Sequence, residues 1–385
     1  MGDTNNSEPI AAKIPRRYIP GWKIPHRRSV EPGDIPTLEE AKATIDRLYE
    51  SEVPFFTKEL IQDMWNQIKQ EPTSGDKVIT KDITGATVGC DVDTGRVCRM
   101  RNPEDDTELV YVCKELVLYY NCRAHLRNEI DQRDYPLSHW EPCSVIIMHR
   151  TQELDSKTEE LVPRRGPLDR EVVAKVFYEK TQEWKESPAC EKLKTILSSS
   201  AKDHEINKVV VFALGTMSFQ YFNEEGILDT TAGWQSAFQN ALLVTIIEWL
   251  KERDHKEKVP CYSQDPAQSE VDKEILDEAG IEVIEDPRGW LEVDEQSVVV
   301  SIAPNVPVKE IITDIARPAV IIWGRVEFLD GLGQGYTDPD SSRVRAMMEG
   351  YELYEFGPDK DIFCDIVIYI RKSVAAPTPS DGRFS

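Results

Sequence analysis

"INKVVVFALGTMSF", residues 206–219, places six consecutive apolar residues, Val209 to Leu214, between Lys208 and Gly215, and then passes into small polar side chains. A short unbroken apolar run closed by glycine suits a strand buried on both faces, the kind that fills a parallel sheet. The pattern repeats downstream. A helix over 233–253 follows after a loop, then strand 260–265, helix 267–280, strand 281–285, strand 297–304, a short helix in "VKEIITDIA", and strand 319–324. Five short aliphatic strands alternating with amphipathic helices predict an α/β fold: a Rossmann-like, doubly wound, mostly parallel sheet, with an added N-terminal α+β segment.

Around this core the chain divides into further pieces. Residues 1–35 are rich in proline and basic residues, and the repeated Ile-Pro steps forbid a continuous helix, so they are expected to form a disordered arm. The extension over 36–165 opens with a helix at "PTLEEAKATIDRLYES", where Thr37 and Glu40 make a capping box, and a second helix in "TKELIQDMWNQIKQ". One or two hairpins are expected over 77–101, a helix over 107–130, chosen for its length, and a strand over 143–151. The α/β domain is assigned to 166–325 and begins with two helices. The first carries Val172, Val173, Val176, Phe177 and Trp184 at helical spacing; the second has Pro188 in its first turn. Residues 326–372 read as a C-terminal extension packing on the sheet, with a helix near 342–350 and a last strand at a sheet edge. Residues 373–385 read as a disordered tail.

With 69 acidic and 46 basic side chains the chain of 385 residues has a net charge of −23, which makes nucleic acid an unfavourable partner unless a local basic patch reverses it. Twelve carboxylates crowd between Asp265 and Glu295 against Lys273 and Arg288, and a solvated face explains them more simply than a cation site. Eight scattered cysteines without a C-x-x-C pair indicate neither a disulfide framework nor a zinc site, and no other metal site is expected. No run approaches the ~20 apolar residues that span a bilayer, and no signal peptide is visible, so the expected location is cytoplasm, nucleus or both, without a membrane.

In open parallel sheets ligands settle beyond the carboxyl ends of strands where the order reverses, here after the first and fourth strands of the series. The first ends at Gly215, with the hydroxyls of Thr216 and Ser218 behind it. A lone glycine about 18 residues from the next helix is not the G-x-G-x-x-G fingerprint, and a simple turn reads as well as a phosphate cradle. Asp265, ending the second strand before Pro266, suits either a ribose hydroxyl pair or the start of a helix. At the fourth strand, Pro304 and Asn305 follow "VVVSIA"; Asn305 offers an amide to a ligand or a cap to the helix near Pro307. The run "GLGQGY", 331–336, reads as a loop. Six histidines form no H-x-x-x-H, and no G-x-S-x-G occurs, so no catalytic residue is nominated and the chain is read as leaning away from an enzyme.

The segments "KVVVFALGTMSF", "AFQNALLV" with Gln239, "QDPAQSEVDKEILDEAGIEVI" and "VVVSIAP", in this order, resemble the SRR-like family, named for sensitivity to red light reduced, over about 169–325, and in particular a fungal-type member. The resemblance implies a Rossmann-type domain without an established reaction. It further implies regulatory roles: circadian, light or stress signalling, haem synthesis in animals, microtubule-related processes in yeast. Gln239 joins the candidate ligand-binding residues on this ground. Many members carry a His and a Cys after the fourth strand's proline; here Asn305 and Val306 stand there, so no metal or acid–base role carries over. Two readings follow: a non-catalytic regulatory protein acting through protein partners, or an enzyme or sensor binding a nucleotide-like cofactor, such as S-adenosylmethionine or a dinucleotide, across Gly215, Asp265 and Asn305. A nucleic-acid adaptor using the basic arm is a weaker third.

Overall fold

The computed structural model describes residues 36–51, 53–101, 107–131, 141–162, 166–222, 228–327 and 337–373. The arm expected over 1–35, the loop 331–336 and the tail from 374 lie outside them.

The N-terminal segment contains α1 (Leu38–Glu50), α2 (Lys58–Ile68), β1 (Lys77–Lys81), β2 (Thr87–Asp91), β3 (Val97–Arg101), β4 (Glu108–Tyr120), α3 (Arg123–Asp131) and β5 (Val145–Leu154). The Thr37–Glu40 capping box starts α1 as its sequence requires, with Ala41, Ile45 and Tyr49 on the buried face. β1 and β2 form a hairpin, and β3, β4 and β5 an antiparallel sheet. The helix expected over 107–130 is not there: its first part is the 13-residue strand β4, and only its end is α3. Val110, Tyr111, Val112, Val117, Tyr119 and Tyr120 favour a pleated strand, and a register shift between Cys113 and Leu116 breaks the alternation that would have revealed it.

The chain continues with α4 (Arg170–Lys185), α5 (Pro188–Ser200), β6 (Lys208–Phe212), β7 (Tyr221–Phe222), β8 (Leu228–Asp229), α6 (Thr231–Asp254), β9 (Cys261–Gln264), α7 (Glu270–Glu278), β10 (Glu282–Val283), α8 (Arg288–Glu292), β11 (Ser297–Ser301), α9 (Val308–Ile315), β12 (Val320–Gly324), α10 (Ser342–Met348), β13 (Tyr351–Tyr354), α11 (Lys360–Phe363) and β14 (Ile366–Arg371). Seven strands make one sheet in the order β10-β9-β6-β11-β12-β14-β13. The first five are parallel; β14 runs antiparallel to both β12 and β13. The last strand therefore lies inside the sheet, and β13, which the sequence did not signal, takes the edge.

Alternate side chains divide the sheet between two cores. Val209, Val211, Val298, Val300, Val320 and Ile322 face α4, α5, α6 and α7. Val210, Phe212, Val299, Ile321 and Trp323 face α8, α9, α10 and the N-terminal segment, all within one apolar cluster. Phe212 stacks on Trp290 with ring centroids 4.0 Å apart, Trp290 meets Tyr120 edge-on, and Tyr120 meets Phe56, so β4 and the segment leading into α2 reach the sheet through aromatic contacts. On α4, Val173, Phe177 and Trp184 are buried as expected, but Val172 is 49% exposed. Val176, the fifth, is partly buried against the same cluster, and the adjacent Val172 and Val173 cannot both point inward on a helix packed along one side.

Candidate functional site

β6 and β11 are parallel neighbours in register from Ser297 opposite Lys208 to Ser301 opposite Phe212. The order of the sheet reverses between them, since β9 lies beyond β6 and β12 beyond β11. Just past these two ends, Ala213 (φ 60°) and Ala303 (φ 47°) both adopt left-handed backbone, which costs a residue with a Cβ and turns the chain sharply off the sheet.

The loop after β6 is held by two carboxylates. Gly215, at φ 72°, donates its N–H to Asp265 Oδ2 at 2.7 Å. Asp265 also accepts the Ala267 N–H at 2.9 Å, and burial pushes its carboxyl above the ordinary aspartate range. Asp272, fully buried on the first turn of α7, accepts from the Thr216 hydroxyl (2.6 Å), the Ser218 hydroxyl (2.8 Å), the Met217 N–H (2.9 Å) and the Ser269 N–H (2.8 Å). The last of these belongs to a capping box, Ser269 with Asp272, that begins the helix. Gly215, Thr216, Ser218 and Asp265 are thus brought together, with their polar groups bonded to one another or to α7. Asp272, the centre of the cluster, carries no signal in the sequence, because its carboxylate sits in an acidic stretch that reads as solvated.

Gln239 belongs elsewhere. Its Nε2 donates to the Ile362 carbonyl at 2.7 Å, and Gln235 does the same to Asp361, tying α6 to α11. Pro304 is buried and its carbonyl accepts the Thr337 hydroxyl at 2.6 Å; Asn305 is exposed. Asn305 does not cap α9. The N-cap position is Pro307, and the Lys309 N–H in the first turn goes instead to Asp338 Oδ1 at 2.8 Å. Asp340 pairs with the buried Lys309 Nζ and accepts the Glu327 N–H at 2.9 Å. Burial pushes the Asp338 carboxyl up to about 7 against the opposing pull of Lys309. The run "TDPD" at 337–340 reads as loop in the sequence; nothing local says that its carboxylates fold over a helix start.

Two buried polar groups at the strand ends, Ser301 Oγ and Trp323 Nε1, have no hydrogen-bond partner among the described residues. Val300 lies opposite Ile322, so Ser301 falls beside Trp323 on the face shared with Phe212. Among the described residues no group of three or more His, Cys, Asp or Glu is placed to hold a metal ion, and no helix is long and apolar enough to cross a membrane.

The fold and the site define an α/β protein with a seven-stranded, mostly parallel sheet whose strand-end loops are tied down by internal carboxylates. Residues 189–359, a little under half of the chain, match the family model of the SRR1 domain. The match begins within α5 and runs past β13. No curated protein and no solved structure matches the chain.

Proposed function

We propose that the chain is a regulatory protein that acts through protein partners, without catalysis, on a Rossmann-like doubly wound domain spanning about 166–325, with 36–165 and 326–372 as extensions. One observation carries the reading. The N–H groups of Gly215 and Met217 and the hydroxyls of Thr216 and Ser218, the groups with which a strand-end loop would hold a phosphate, already bond to Asp265 and Asp272. The two carboxylates beside the loop repel an anionic ligand as well as competing with it. The regulatory part rests on the SRR1 family and on large exposed aromatics, Tyr178, Phe219 and Trp234, a residue type favoured at protein interfaces. Cytoplasm and nucleus remain the proposed locations.

A second reading, a sensor or enzyme for a nucleotide or S-adenosylmethionine in the strand-end crevice, is favoured by the left-handed Ala213 and Ala303, a form of strain that clusters at binding sites. The two separate on Asp265. Adenosine, S-adenosylmethionine and NAD are expected to change the melting temperature of the wild type and of Asp265→Ala equally. A gain present in the wild type and lost in Asp265→Ala would overturn the first reading in favour of the second.

A further inference from the structure

On the far side of α9 from its start, a groove of about 730 Å³ is lined by Arg317, Arg343, Arg371 and Lys372 around Tyr351, with Asp314 the one carboxylate among the described residues of its wall. Four cations against one anion is the reverse of the chain as a whole, which carries −23. Asp314 is committed: its Oδ1 pairs with Arg343 at 2.9 Å and its Oδ2 accepts the N–H groups of Phe55 and Phe56. Arg343 in turn is spent on Asp314 and on the carbonyls of Leu48, Tyr49 and Val53.

Among the described residues the other three cations have no carboxylate partner. Arg317 uses Nη1 on the Thr313 and Ala316 carbonyls, Arg371 uses Nη1 on the Arg317 carbonyl, and Lys372 uses its ammonium on the Glu349 carbonyl. Each is therefore anchored by a backbone oxygen while keeping its full charge, and both guanidinium groups keep Nε and Nη2 free of bonds among the described residues. Anchored guanidinium forks match the paired oxygens of a phosphoryl group. Pro54, Ala346, Met347 and Gly350 supply an apolar wall, and the volume lies within the range of about 300–1,000 Å³ typical of small-molecule sites. Arg317 precedes β12 and Arg371 ends the antiparallel β14, so the groove opens at the amino ends of the parallel strands, the opposite end from the β6–β11 crevice.

We propose that this groove binds the phosphoryl end of a small organic phosphate, with Arg317, Arg371 and Lys372 as the anion-binding residues. Isothermal titration and thermal shift on the full chain would use inorganic pyrophosphate and ADP without added metal, with citrate and sodium chloride at matched ionic strength beside them. Pyrophosphate and ADP are expected to bind and to raise the melting temperature; citrate and chloride are not. Arg371→Ala and the milder Lys372→Gln are each expected to weaken pyrophosphate at least about tenfold, since charge-assisted bonds are the ones lost. Arg317→Lys guards against a folding defect: it keeps a cation but not the fork, and is expected to weaken binding while the ligand-free melting temperature holds. Asp265→Ala, at the other end of the sheet, is expected to leave pyrophosphate affinity unchanged. Equal response to citrate, affinity untouched in Arg371→Ala and Lys372→Gln, or affinity lost in Asp265→Ala would each overturn the proposal. The last would also remove the reading of the strand-end loop as closed to anions.

Discussion

A single oxygen, Asp286 Oδ1, accepts the Tyr120 hydroxyl (2.8 Å), the Gln264 amide (2.8 Å) and the Trp290 indole N–H (3.1 Å), joining β4 to the sheet and to α8. Burial nevertheless pushes its carboxyl up to about 6 from 3.8. The folded chain holds this proton more tightly than the unfolded one. The stability Asp286 lends is therefore whole below pH 4 and lost as pH rises through about 6, a swing of about 3 kcal/mol for a shift of this size. Glu310, raised from 4.5 to about 7, and Asp338 add to the same slope with the same sign. Urea unfolding of Asp286→Asn, which keeps the accepting oxygen, should show a smaller loss of stability between pH 4.5 and pH 8 than the wild type; an unchanged slope would assign the pH dependence elsewhere. At Asp272, substitution by alanine leaves the buried Met217 N–H and the Ser269 N–H without their acceptor and takes one partner from the Thr216 and Ser218 hydroxyls, and should cost about 3 kcal/mol, read as a lowered urea midpoint. Residue-scale chemistry of this kind was half legible. Gly215, Thr216, Ser218 and Asp265 stood out by their place after strands, but their partner Asp272 lies 54 residues beyond Ser218, and no local pattern links them.

Helices announced themselves where caps and periodicity agreed. Thr37 with Glu40 on α1, Pro188 in the first turn of α5 and the aliphatic helix α6 all follow from neighbouring residues. Thr37→Ala should destabilise the chain by about 1 kcal/mol, read as a lowered urea midpoint, because the cap accepts the Glu40 N–H and α1 packs into the core beneath the sheet. β4 and β13 were hidden for a physical reason. A strand's stability comes from the strands beside it, and β4 draws on β3 and β5, with β5 starting 25 residues after β4 ends. The position of β14 likewise depends on β12, reached only after 42 residues.

Across the whole molecule, the N-terminal segment covers one face of the sheet. Ile45, Phe56, Ile61, Met64 and Ile147 share a cluster with Phe212, Val299 and Ile321. A chain beginning at residue 166 should thus expose a continuous apolar face, bind a hydrophobic dye and aggregate, whereas a chain beginning at residue 36 should melt like the full one. A monomeric, dye-silent protein from residue 166 would show that the sheet domain does not need this cover. By itself, the sequence determined the parallel α/β series from 208 to 324, because buried strands and amphipathic helices are written in the periodicity of adjacent side chains. Only the tertiary structure decided which face the N-terminal segment covers, that Asp265 and Asp272 hold the loop after β6, and that Arg317, Arg371 and Lys372 meet in one groove. Those facts depend on residues far apart in the chain, and their energies exist only once folding has brought them within contact and out of water.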